Sequence, residues 1–168
     1  MSKKTTIFNG ISLICAIVGA ACALVCRIIT PSPVDMAHKL DSLDVLPPVW
    51  IFNLLSVALC FAAGAAAGVV IKDVGEGNLY GKSAIGAYRG LTFFLVAFFV
   101  SLMWYPAFFA AEAIFISMVM CLAVTLGSVL CAYNWFGAGE GTAAVIMSAF
   151  SIWSVYILLI NISVLFGI

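Results

Sequence analysis

Charge is what this sequence has least of. Only 8% of its 168 residues are Asp, Glu, Lys or Arg, 65% are hydrophobic, and the mean hydropathy is +1.25. A soluble domain carries about 25% charged residues, so this chain cannot cover a water-facing surface and reads as an integral membrane protein. Seven basic and seven acidic side chains cancel. No basic stripe is left for nucleic acid, which is excluded as a partner. The apolar runs also lack an ionisable residue in their middle, which argues against ion-coupled transport.

Histidine is scarcer still, and metal ligands are not gathered. The one imidazole, His38, lies in a loop, while Cys15, Cys22, Cys26, Cys60, Cys121 and Cys131 all fall inside apolar runs. A disulfide framework would put cysteines in loops on an oxidising face. Cys22 and Cys26 share a helix face, yet a metal there would need further ligands, so the cysteines read as packing residues and neither metal nor cofactor is expected.

The charges divide the chain. Thr5 to Cys26, Val45 to Ile71, Gly90 to Ala111, Ala113 to Gly139 and Gly141 to Ile168 are charge-free, and each exceeds the roughly 20 apolar residues that span a bilayer as helix. The fold class is therefore all-α, a single membrane domain over 1–168 of five transmembrane helices at about 6–28, 47–71, 87–110, 113–135 and 142–166. Lys3 and Lys4 ahead of the first run imitate a signal peptide, but that run outlasts the 7–15 residues of a signal core, so it is read as a retained helix. Five spans put the termini on opposite sides. Lys3, Lys4, Lys72, Lys82 and Arg89 against Arg27 and Lys39 place the amino terminus in the cytoplasm, with Arg27 and Arg89 at helix ends where they snorkel. A multi-pass protein of a bacterial cell membrane is the expectation.

Residues 30–46 form the longest polar loop, a candidate lid over a site. The connection around Glu112 is so short that the third and fourth helices must be antiparallel neighbours. Phe136 to Thr142 contains a G-x-G-x-G, but no strand precedes it and no Lys follows. It reads as a flexible turn rather than a phosphate loop. Gly64-Ala65-Ala66-Ala67-Gly68 is a G-x-x-x-G that lets another helix approach closely. That helix belongs either to the same bundle, the favoured reading, or to a second copy in a homodimer.

What the spans hold instead of charge is aromatic rings, among them Trp50, Phe52, Trp104, Phe108, Trp135 and Trp153. Any single ring is ordinarily belt or lipid-facing bulk. Polar residues deep in the runs are few: Asn53, Ser56, Ser101 and Asn161. An amide in hydrocarbon must find a partner, so Asn53 and Asn161 should face the interior, bonding neighbouring helices or lining a cavity. These residues alone suggest an apolar-ligand site near Trp50, Asn53, Trp104, Trp153 and Asn161.

The arrangement resembles the TspO/MBR family of translocator proteins, tryptophan-rich sensory proteins and peripheral benzodiazepine receptors. Pro47-Pro48-Val49-Trp50 opens the second helix as the family's Pro-Pro-x-Trp does, with Gly64 at the small residue fourteen positions beyond the Trp. Trp104-Tyr105-Pro106-Ala107-Phe108-Phe109 is similar to the family's Trp-Pro-x-x-Phe-Phe in helix three, and Trp153 and Asn161 keep the Trp-to-Asn spacing of helix five. The departures are equally specific. Ser56 stands where the family has a second Trp in helix two, and Cys60 where it has a Tyr. Ser101 replaces an Asn, Ala149 and Phe150 replace a Pro and a Tyr, and Ile157 replaces a small Ala that lines the ligand pocket in relatives.

The resemblance implies a pocket for planar apolar ligands, such as porphyrins and benzodiazepine-like molecules, capped by the first loop. Its candidate ligand-binding residues here are Trp50, Asn53, Ser56, Ser101, Trp104, Phe108, Trp153, Ile157 and Asn161. Flat tetrapyrroles would stack on indole and phenyl faces while amides and hydroxyls meet their polar edge. The cholesterol motif after the fifth helix of animal members needs a Lys or Arg that this chain lacks. Three readings stay open: a sensor or carrier that binds porphyrin-like or other apolar molecules, a porphyrin-degrading enzyme, and a structural membrane subunit without ligand. Degradation has been attributed in relatives to paired tryptophans of helices two and five. Ser56 removes one of them, so binding is favoured and no catalytic residue is assigned.

Overall fold

The computed structural model describes residues 9–30 and 49–166, and within them the chain forms five long helices: α1 (Gly10–Ile29), α2 (Val49–Gly75), α3 (Lys82–Phe109), α4 (Ile114–Ala138) and α5 (Gly141–Phe166). Each is long and apolar enough to cross a membrane. The expected lid over 30–46, apart from Thr30, and the Pro47-Pro48 pair lie outside the described residues.

Caps and turns set several helix limits. Asn9 and Ser12 open α1 with a reciprocal capping box, the Asn9 Oδ1 accepting from the Ser12 amide at 2.8 Å and the Ser12 hydroxyl accepting from the Asn9 amide at 3.1 Å. The α3–α4 connection is as short as expected, and Glu112 takes φ 50° there. In the α4–α5 connection the structure corrects the flexible-turn reading. Phe136, Gly137 and Ala138 continue α4, and the chain reverses at Gly139, whose φ of 92° suits glycine. The Gly139 and Glu140 amides donate back to Phe136 and Trp135 at 3.1 and 2.9 Å, closing the helix end with a defined motif. Charge likewise does not end the helices where hydropathy stops. α2 runs on through Lys72 and Asp73, and α3 starts at Lys82, because helix continues into water once the membrane is left behind.

The helices close into a ring in the order α1, α2, α5, α4, α3, with α2 also touching α3. α1 seats on α2 through small residues: a Cβ at Gly19 would sit 2.7 Å from the Cys60 carbonyl oxygen, while one at Gly64 or Gly68 would collide with the Cys15 or Ser12 backbone. The G-x-x-x-G is therefore a bundle contact, and its face is filled by α1 rather than left for a second copy. α4 and α5 are joined by hydroxyls, Ser128 to Ser151 and Thr125 to Ser154, each at 2.9 Å.

Two core clusters fill the ring. One is built of small residues of α2, including Ala63, Ala66, Ala67 and Val70, with Phe94, Phe98, Trp135 and Met147 packed against them. Trp135 is wholly buried, and a Cβ at Gly90 would strike its indole, so that glycine is what admits the ring. The other cluster is aromatic: Phe52, Trp104, Tyr105, Phe108 and Phe109, closed by Cys121 and Ile160. Outward faces are mostly apolar, as on α1 at Ile14, Ile17, Val18 and Ile28, which is the surface a lipid-facing helix presents.

Candidate functional site

A cavity of about 60 Å³ lies where the two clusters meet. All five helices line it. α1 gives Ala23, Cys26 and Arg27, and α2 gives Ser56 and Cys60. α3 contributes Ser101, Leu102, Trp104 and Tyr105. α4 supplies Cys121 and Val124, and α5 supplies Phe150, Trp153, Ser154 and Ile157. The volume accommodates several water-sized groups, since one water needs roughly 10–15 Å³. A larger guest enters only by moving the walls, and Ile157 is one of them.

The aromatic wall is held by ring contacts. Trp104 stacks on Phe108 with centroids 5.1 Å apart and planes at 21°. Phe52 stands between the two cavity indoles, 6.4 Å from Trp104 and 5.2 Å from Trp153, and Tyr156 backs Trp153 at 5.2 Å. Pro106 lies within α3 just beyond these rings. Proline cannot donate to the carbonyl one turn earlier, that of Leu102, so the helix ladder is interrupted beside the cavity.

Five of the nine residues singled out from the sequence line the cavity: Ser56, Ser101, Trp104, Trp153 and Ile157. Two stand directly behind them. Phe108 is buried against Trp104, and Asn161, with no exposed surface, accepts from the Trp104 indole N–H at 3.4 Å. The Asn161 amide also donates to the Ile157 carbonyl at 2.7 Å and to the Cys121 Sγ at 3.6 Å, which ties α3, α4 and α5 together behind the wall. The hydroxyls of Ser56 and Ser101 donate to the Phe52 and Phe98 carbonyls of their own helices at 2.8 and 2.7 Å. Trp50 does not join the group. It is 66% exposed at the start of α2 and lines no part of the cavity, because the opening turn of that helix points it away from the ring of helices.

Asn53 also stands off the cavity, but it holds a residue that the sequence reading placed elsewhere. Arg27 was expected to snorkel at the end of α1. Instead it turns inward: its Nε donates to the Asn53 Oδ1 at 3.1 Å, its Nη1 donates to the Ala23 carbonyl at 3.0 Å, and its guanidinium lies 5.0 Å above the Tyr105 ring. That distance is within the range of a cation–π contact. A signal existed in the sequence. Arg27 closes one helix and Asn53 opens the next, so both sit at one membrane depth, where a part-buried amide and a guanidinium satisfy each other. No three His, Cys, Asp or Glu side chains gather to hold a metal among the described residues.

These features define an integral multi-pass membrane protein whose five helices enclose an aromatic-walled cavity. The model of the TspO/MBR family matches residues 11–166, nearly the whole chain, and the chain belongs to that family. No curated protein and no solved structure matches it. Membership points to ligand binding or sensing within the membrane.

Proposed function

We propose that the chain binds planar apolar molecules of the porphyrin type in this cavity, as a sensor or carrier. The observation that carries the reading is the cavity itself, at the junction of two packed clusters with two indole faces, Trp104 and Trp153, among its walls. Apart from Arg27, the polar side chains there are hydroxyls, which suits a flat ring system that needs stacking and one or two hydrogen-bond partners. In its present form the space is too small for a tetrapyrrole, so binding requires the helices to part. The work of opening, with Ile157 in the way, holds affinity to the micromolar range or weaker, about 8 kcal/mol at 1 μM. The test is quenching of tryptophan fluorescence by protoporphyrin, titrated in darkness and then under illumination. Saturable quenching in darkness is expected.

Degradation is the competing reading, and Ser56 bears on it. Ser56 and Trp153 both line the cavity, so the position that would carry the second indole holds a hydroxyl already donated to its own helix. The porphyrin absorption band should therefore survive illumination as it does in a protein-free control. Bleaching that depends on the protein and disappears in Trp153→Phe would establish the enzymatic reading instead.

A further inference from the structure

One residue lining the cavity carries a full charge. The groups that hold Arg27 there, among the described residues, are neutral: the Asn53 amide, the Ala23 carbonyl and the Tyr105 ring. Among the described residues no carboxylate lies within 4 Å of it, the one ion pair being Lys72–Glu76 in the turn region after α2. Its neighbours on the cavity wall, Cys26, Cys60, Ser101 and Tyr105, are uncharged as well.

This arrangement has a physical cost. Arg27 is part-buried near the end of α1, and taking a guanidinium even partly out of water with no counter-charge among the described residues is costly; such residues in membrane helices pair or serve a site. Its five N–H donors also exceed the two acceptors that fix it. Asn53 and Ala23 set its direction, Tyr105 covers one face, and the side chain lines the cavity. A planar fork of this kind takes a carboxylate through two parallel hydrogen bonds.

We infer that Arg27 anchors an ionised carboxylate of the bound molecule, so that the site selects amphipathic acids, a planar apolar body with a carboxylate at one edge, over the neutral forms of the same bodies. The inference rests on the cavity being the ligand site. The body lies against Trp104 and Trp153 while the carboxylate meets Arg27 at the α1–α3 side, which supplies the counter-charge that the described part of the bundle does not.

The experiment compares acids with their methyl esters in nanodiscs of phosphatidylcholine alone, which carry no net-anionic lipid. Two pairs are titrated by fluorescence: protoporphyrin with its dimethyl ester, and pyrenebutyric acid with its methyl ester. The wild type should prefer each acid by about tenfold to a hundredfold, the usual worth of a hydrogen bond to a charged group. Arg27→Met, apolar and of similar length, should shrink that preference to about threefold or less while ester binding persists. Arg27→Lys should restore part of it, since it returns the charge without the fork. Should Arg27→Met fail to fold, Arg27→Lys decides: the acid preference must fall below that of the wild type. Equal binding of acid and ester by the wild type overturns the inference and leaves porphyrin binding standing, as does a preference unchanged by these substitutions. An Arg27-dependent preference in the pyrene pair without porphyrin binding keeps the inference and removes the porphyrin reading. No binding of any probe sinks both.

Discussion

The two halves of the bundle's core are packed by different means. Around Gly64 and Gly68 the backbones of α1 and α2 touch, with side chains reduced to Ala and Gly. Around Trp104 and Phe108 the rings of α2, α3 and α5 hold the helices apart. In lipid there is little hydrophobic drive to bring helices together, and close packing of small residues is the substitute. Rings confer contact area but tile imperfectly. The cavity sits at the change from one regime to the other, and it is bounded by Cys60 and Phe150 on the first side and by Trp104, Trp153 and Ile157 on the second. Rigidity and room for a guest are thus assigned to different segments of the same helices.

The sharpest way to break that comparison is to put a side chain into the backbone seam. Gly64→Leu meets the Cys15 carbonyl, which cannot yield as a flexible side chain can. A loss of about 3 kcal/mol or more, the upper end of overpacking, is expected, read as a lowered melting temperature or a polydisperse elution profile. Gly75→Leu, where a Cβ meets nothing within 4 Å, should leave both unchanged.

Truncation on the aromatic side should cost less than it would in a soluble core. Phe108→Ala would remove about 3–5 kcal/mol in water-soluble proteins. Here a ring released from the bundle meets lipid rather than water, so about 1–3 kcal/mol is expected, chiefly lost packing. Thermal denaturation in detergent measures it, and the Trp104 emission should shift as its stacked neighbour goes. The smallest effect belongs to the hydroxyl pairs of α4 and α5. Ser151→Ala deletes the 2.9 Å contact with Ser128 and should cost about 0.6 kcal/mol, since polar contacts in membrane helices average no more. A cost near zero would mean that Ser128 finds its own backbone acceptor sufficient, the Thr125 carbonyl at 3.0 Å.

The five spans were legible because charge is excluded from them, and the contact of α1 with Gly64 and Gly68 because small residues at that spacing have few other uses. Helix ends were less so. Lys72, Asp73 and Lys82 marked the limits of hydropathy, but helical hydrogen bonding does not depend on hydropathy and carried α2 and α3 past them. Of the site, Trp104, Trp153, Ser56, Ser101 and Ile157 were recoverable from motif positions, since spacing along a helix fixes the face. Trp50 was misplaced because its motif lies at a helix start, where one residue's shift in the first turn redirects the side chain. Arg27 was missed because its direction is set by Asn53 and Tyr105, on other helices. The shared depth of Arg27 and Asn53 was legible, but the ring contact with Tyr105 exists only after folding.

Ile157 tests in both directions whether the junction between the two regimes is the ligand site. Ile157→Ala enlarges the cavity and Ile157→Trp fills it, with no change in charge. Protoporphyrin titrated against the wild type and both variants, each first checked for an unchanged melting temperature, should bind about tenfold more tightly to the alanine variant, a gain of about 1.4 kcal/mol, and should not bind measurably to the tryptophan variant. Equal affinity across all three would contradict this and put the site outside the cavity.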